Sequence, residues 1–97
     1  MISIFLFEVL GTSIFTGATL MIEQNSIETL MFMCMIYFCA LLICTPISGG
    51  HFNPAYTLSV FCLSRNKQEK WPKMATMILA QFVGGGVGLL FAMMVRK

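Results

Sequence analysis

The stretch Ile47-Ser48-Gly49-Gly50-His51-Phe52-Asn53-Pro54-Ala55 lies inside residues 29–64, a run of 36 without Asp, Glu, Lys or Arg. About 20 apolar residues cross a bilayer core as a helix. Thirty-six are too many for one crossing and too few for two crossings joined by an ordinary loop. The apolar run 29–45 fills most of one crossing, and Pro46 marks its expected end. Two glycines followed by Asn-Pro cannot continue that helix, and the apolar 55–63 beyond them is far too short to cross. Irregular backbone at membrane depth is tolerated only where it is buried in protein or lines a water-filled cavity. Residues 47–63 therefore read as a re-entrant element, an irregular strand that enters and a half-helix that leaves on the same side. Asn53 suits an N-cap and Pro54 a first helical residue, so the half-helix is expected to begin at Asn53.

The rest of the chain agrees. It has 97 residues, 58% of them hydrophobic and 10% charged, with a mean hydropathy of +0.85. Soluble domains carry about 25% charged residues, and disorder requires low hydrophobicity with high net charge; both classes are excluded. Residues 2–22 contain one charge, Glu8, and residues 74–95 contain none. These are expected as spans one and three, with span two over 28–46. Residues 23–28 read as a short polar turn, and 65–73 as a polar link with Trp71 as an interface anchor. The expected fold class is an all-α membrane protein, a single domain over 1–97 with three transmembrane helices and one re-entrant half-helix. In span three, Gly84 and Gly88 form a G-x-x-x-G pattern, a close-packing face in a bilayer.

The bases set an expected orientation. Residues 23–28 hold none, whereas 65–73 hold Arg65, Lys67, Lys70 and Lys73. The positive-inside rule then puts 65–73 and the N-terminus in the cytoplasm. A net charge of +2 needs no nucleic-acid partner. The four cysteines lie in apolar runs without C-x-x-C spacing, and the chain has one histidine, so neither a metal nor a redox site is expected.

A half-helix that starts inside the membrane points its positive N-terminal dipole at the midplane. Asn53 sits there with an amide able to donate two hydrogen bonds. The preceding Gly49, Gly50 and His51 offer backbone carbonyls, and the glycines let that backbone approach a narrow passage. Carbonyls on one side and amide donors at the middle suit a file of water or small hydroxylic solutes, and the positive dipole end opposes protons and cations.

Residues 48–57, Ser-Gly-Gly-His-Phe-Asn-Pro-Ala-Tyr-Thr, resemble the first signature box of the aquaporins and aquaglyceroporins, the major intrinsic proteins. Glu8-Val9-Leu10-Gly11-Thr12 resembles the Glu-x-x-Gly-Thr of that family's first span, and Ala80-Gln81-Phe82-Val83-Gly84 the Ala-Gln-x-x-Gly of its third. Box, order and spacing together cover nearly all of the chain. The resemblance implies a channel for water or small neutral solutes such as glycerol, with no covalent chemistry and no cofactor. It implies a pore role for Asn53, with Pro54 and Ala55 holding the half-helix tip. It implies pore carbonyls at Gly49, Gly50 and His51, and bracing of the loop by Glu8 and Gln81. Counting back along span two, Met33 falls where the family places an aromatic constriction residue, with Phe32 beside it; water against glycerol stays open. The family builds one pore from six spans and two opposed boxes and assembles as tetramers. This sequence resembles the first half and contains one Asn-Pro pair, so a second half or a further copy is an implied partner, besides the bilayer itself.

Blander readings apply to single residues. A polar residue such as Gln81 in a span often just pairs with another helix, and His51 reads as a structural, hydrogen-bonded ring before it reads as a pH sensor. Glu8 lies about 10 Å into span one, and an intramembrane carboxyl is expected to face the bundle interior with a partner. Two other readings fit parts of the chain. A small multidrug-type, proton-coupled transporter would use Glu8 in a similar Glu-x-x-Gly-Thr setting, but needs four full spans. A truncated membrane protein would conduct nothing by itself.

Overall fold

The structure, a computed structural model, describes residues 1–21 and 26–96. It holds four helices in chain order: α1 (Ile2–Met21), α2 (Ile27–Ser48), α3 (Pro54–Leu63) and α4 (Lys67–Arg96). Three of them, over Ile2–Leu20, Ile27–Ser48 and Lys67–Val95, are long and apolar enough to cross a membrane. The fourth, α3, has 10 residues, about 15 Å, half of a bilayer core. The chain is an all-α membrane protein of three crossing-length helices and one short helix.

Helix α1 is central. It packs along α4 on one side and α2 on the other, while α3 lies on α4. The α1–α4 contact is close because glycines form it. A Cβ on Gly84 would stand 2.6 Å from the Val9 carbonyl oxygen, and one on Gly88 would stand 2.7 Å from that of Ser13. With no side chain at these points, the two backbones approach as G-x-x-x-G faces do in lipid. Gly85 and Gly86 have nothing within 4 Å of the same position. Cys44 ties α2 to α1, its Sγ–H donating to the Phe7 carbonyl at 3.4 Å, and Ala40, Cys44 and Phe52 form a small core with Phe7 and Leu41 packed on it. The outer surface is apolar, with Phe38 and Leu42 at 60% exposure and Phe82 at 69%, the inverse of a soluble protein and suited to lipid.

Two helix ends differ from expectation. Helix α2 does not stop at Pro46 but continues to Ser48. Proline removes one bond, to the carbonyl four residues back, and a membrane helix tolerates this where local adjustments satisfy the backbone. The turn closes beyond it, where the Gly49 N–H donates to the Thr45 carbonyl with Gly49 in the left-handed conformation at φ 93°. Helix α4 starts at Lys67, well before the expected 74, and carries Pro72 inside it. The link expected over 65–73 shrinks to 64–66. The Asn66 carbonyl accepts the N–H groups of Glu69 and Lys70 and nucleates the first turn, and the bond lost at Pro72 would have reached the carbonyl of exposed Gln68. At the other connection, Ile22 and the turn residues 23–25 lie outside the described residues. Ser26 caps α2 there, its Oγ accepting the Thr29 N–H at 3.2 Å, and Glu28 sits in the helix's first turn.

Candidate functional site

The backbone between α2 and α3 is irregular, and local chemistry dictates its path. Gly49 (φ 93°) and Gly50 (φ 63°) are both left-handed, a conformation that glycine adopts without steric cost. A Cβ on Gly50 would stand 2.7 Å from Thr45 Oγ1. Phe52 is also left-handed at φ 55°, which for a bulky residue is an outlier that persists only when its surroundings impose it. Here they do. The ring is buried against Gly11, where a Cβ would come within 2.1 Å of Phe52 Cε1, and makes an edge contact with Tyr37 at 6.3 Å.

Asn53 then turns the chain into α3. Its backbone is extended and its Oδ1 accepts the Ala55 N–H at 2.8 Å, with Pro54 in the first helical turn. The side chain of Asn53 is exposed, and its amide NH₂ has no partner among the described residues. Nor does any described donor reach the carbonyls of Gly49, Gly50 or His51. Pro54 is half-buried and Ala55 exposed.

Glu8 holds this segment from α1. It is fully buried. Its Oε1 accepts the Phe52 N–H at 3.0 Å and a Gln81 Nε2 hydrogen at 3.0 Å. Its Oε2 accepts the Ser48 hydroxyl at 2.6 Å. Ser48 Oγ in turn accepts the Gly50 N–H at 3.3 Å. Gln81 uses its other amide hydrogen on Thr57 Oγ1 at 2.8 Å, leaving its Oε1 buried without a partner among the described residues.

Thr57 is the second hub. Its hydroxyl donates to the Asn53 carbonyl at 3.1 Å and accepts from Gln81. His51 Nδ1 lies 3.0 Å from the same oxygen. The only capacity left on Thr57 is a lone pair, so donor counting assigns the ring proton to Nδ1. The His51 ring also meets Tyr56 edge-on at 4.9 Å. One hydrogen-bonded network thus runs from α1 and α4 through both ends of the irregular segment.

The structure brings together Glu8, Gln81, Gly50, His51 and Asn53 from the residues singled out in the sequence. It does not bring Met33 to them. Met33 is half-buried on α2, about 22 Å along the helix axis from Ser48 at 1.5 Å per residue. Near that end Phe32, not Met33, lines an apolar cavity of about 500 Å³ between α1, α2 and α4. The sequence reading gave no role to Ser48, Phe52 or Thr57. Ser48 and Thr57 had a signal, since a hydroxyl in an apolar run needs a partner. Phe52 had none, because a left-handed phenylalanine is against its preference.

The chemistry on offer is hydrogen bonding at a helix tip. Glu8 is fully buried and already accepts three hydrogen bonds, from Ser48, Phe52 and Gln81. No curated protein and no solved structure matches the chain. A sequence model described as "Major intrinsic protein" matches residues 2–97. With its crossing-length helices and buried Glu8–Gln81 network, this integral membrane chain belongs to the major intrinsic protein family, whose members are channels for water and small solutes.

Proposed function

We propose that this chain builds one half of a pore through which water or small neutral solutes such as glycerol cross a membrane passively. The observation that carries the reading is at Asn53. Its oxygen is held by the Ala55 N–H at 2.8 Å, which orients the NH₂ outward at the positive end of α3, exposed and without a protein partner among the described residues. Gly49, Gly50 and His51 present their carbonyls to the same file, Pro54 and Ala55 shape the helix tip, and Glu8 and Gln81 keep the segment in place. Donors preorganised on one side and acceptors on the other replace the hydration of a passing molecule, while the dipole end repels cations.

In this reading residues 1–97 are a single half-domain, 47–63 dips into the membrane and returns, and the N-terminus and 65–73 face the cytoplasm. A second half, from the same polypeptide or another molecule, supplies the opposing box, and complete pores gather as tetramers. Met33 and Phe32 lie toward the far mouth, where the constriction would form. The test is Asn53→Asp in the full-length protein in liposomes, read by stopped-flow light scattering. Aspartate keeps the oxygen that caps α3 and loses both amide hydrogens. Folding should survive and permeability fall about tenfold, the effect of about 1.4 kcal/mol at the barrier. Unchanged permeability would remove Asn53 from the pore.

A further inference from the structure

A second cavity, of about 190 Å³, lies between α3 and α4. At about 30 Å³ per water it has room for roughly six. Its inner end is walled by His51, Thr57 and Met77, and its outer end by Ser64, Lys70 and Lys73. Lys70 and Lys73 are three residues apart on α4, hence on one face. Neither ammonium has an anionic partner among the described residues. The third lysine nearby, Lys67, is already used, its Nζ donating to the Ser64 carbonyl at the end of α3 at 3.0 Å. The acid in this stretch, Glu69, is exposed on α4. Trp71, 54% exposed, stands at the same level, as aromatic rings do at a headgroup layer. Two lysines and the Ser64 hydroxyl thus line a concave site at the edge of the apolar slab. Basic pockets between membrane helices take phosphate-bearing headgroups.

We propose that this α3–α4 cavity binds a phosphate group, with Lys70 and Lys73 as its charge partners and Ser64 as a hydroxyl donor once its O–H turns from the Val60 carbonyl, 2.9 Å away. The phosphate comes either from an anionic lipid headgroup or from free phosphate. The lining belongs to both helices, so an occupied site ties the half-helix to α4 and reaches the network at Thr57 from the opposite side to Glu8. The inference does not depend on what the pore conducts.

The test is thermal unfolding of the purified protein in a neutral detergent with three probes: phosphatidylglycerol, phosphatidylcholine and inorganic phosphate. Phosphatidylglycerol should raise Tm by about 4 °C or more at saturation and slow amide exchange over residues 54–64, while phosphatidylcholine does neither. Lys70→Gln/Lys73→Gln should lose both effects, and Arg65→Gln, outside the cavity, should keep them. Inorganic phosphate acting as strongly as the lipid identifies free phosphate as the source; inactive phosphate identifies the headgroup. An equal response to phosphatidylcholine, an unchanged response in the double variant, an equal loss in Arg65→Gln, or no response of the wild type to any probe overturns the proposal. If the double variant does not fold, the wild-type exchange pattern decides, since slowing elsewhere than 54–64 also overturns it.

Discussion

Glu8 Oε1 accepts the backbone N–H of Phe52 at 3.0 Å across 44 residues of chain. The contact joins the middle of the first crossing helix to a backbone group that no secondary structure serves. Glu8→Ala would strand that N–H and one Gln81 hydrogen, each at about 1–3 kcal/mol if left unpaired. The irregular segment should then lose its fixed path, with a large drop in the thermal midpoint and rapid amide exchange over 49–53. Glu8→Gln should be far milder, because its oxygen still serves Phe52 and Gln81 while Ser48 turns to the Cys44 carbonyl, already 3.2 Å away. Equal stability of Glu8→Ala and wild type would show that the network does not hold the segment.

Thr57→Val tests the second hub at nearly constant shape. The Asn53 carbonyl keeps a partner, the Thr57 backbone N–H at 3.0 Å. One Gln81 hydrogen and the His51 Nδ1–H do not. Hydrogen bonds between membrane helices average about 0.6 kcal/mol and reach about 1.7, so a loss of about 1–2 kcal/mol is expected in a denaturant titration. Thr57→Ser, which retains the hydroxyl, should recover most of it. A valine variant matching wild type would mean that packing alone seats α3 on α4.

The sequence was most legible where polar chemistry stands alone in apolar surroundings. Glu8 and Gln81 each demand a partner in lipid, and Asn53-Pro54 can start a helix but not continue one, so the tip of α3 was foreseeable to the residue. Helix ends at proline were less so. Neither proline ends its helix: past Pro46 the Gly49 N–H still closes on the Thr45 carbonyl, and the carbonyl that Pro72 leaves without a donor belongs to exposed Gln68. Neither outcome is a local property of the proline. Phe52 was illegible for the same reason, since only the Gly11 notch and the Glu8 oxygen, both distant in sequence, hold it left-handed.

That strain at Phe52 inverts an ordinary ranking. Truncating a buried phenylalanine to alanine costs about 3–5 kcal/mol, and glycine would normally be worse through added chain entropy. At φ 55° alanine still carries the Cβ penalty, about 1–2 kcal/mol, that glycine escapes. Phe52→Gly should therefore be no less stable than Phe52→Ala, though both fall below wild type. Measured midpoints with glycine clearly lower would show that the left-handed backbone at 52 costs nothing.

The glycines of α4 separate by what they face. A methyl on Gly84 meets the Val9 carbonyl at 2.6 Å and one on Gly88 meets the Gly17 nitrogen at 2.8 Å. Both are backbone atoms of α1, so relief requires moving a whole helix. Overpacking of this kind costs about 1–3 kcal/mol, and because α1 carries Glu8, displacement there also pulls on Phe52. Gly85 and Gly86 meet nothing within 4 Å, and alanine there removes a helix penalty of about 0.8–1 kcal/mol. In a four-member alanine series, Gly84→Ala and Gly88→Ala should lower the thermal midpoint and raise amide exchange at 50–53, while Gly85→Ala and Gly86→Ala leave both at or above wild type. If the four behave alike, the α1–α4 contact is not set by glycine contact, and the position of Glu8 beneath the irregular segment needs another cause.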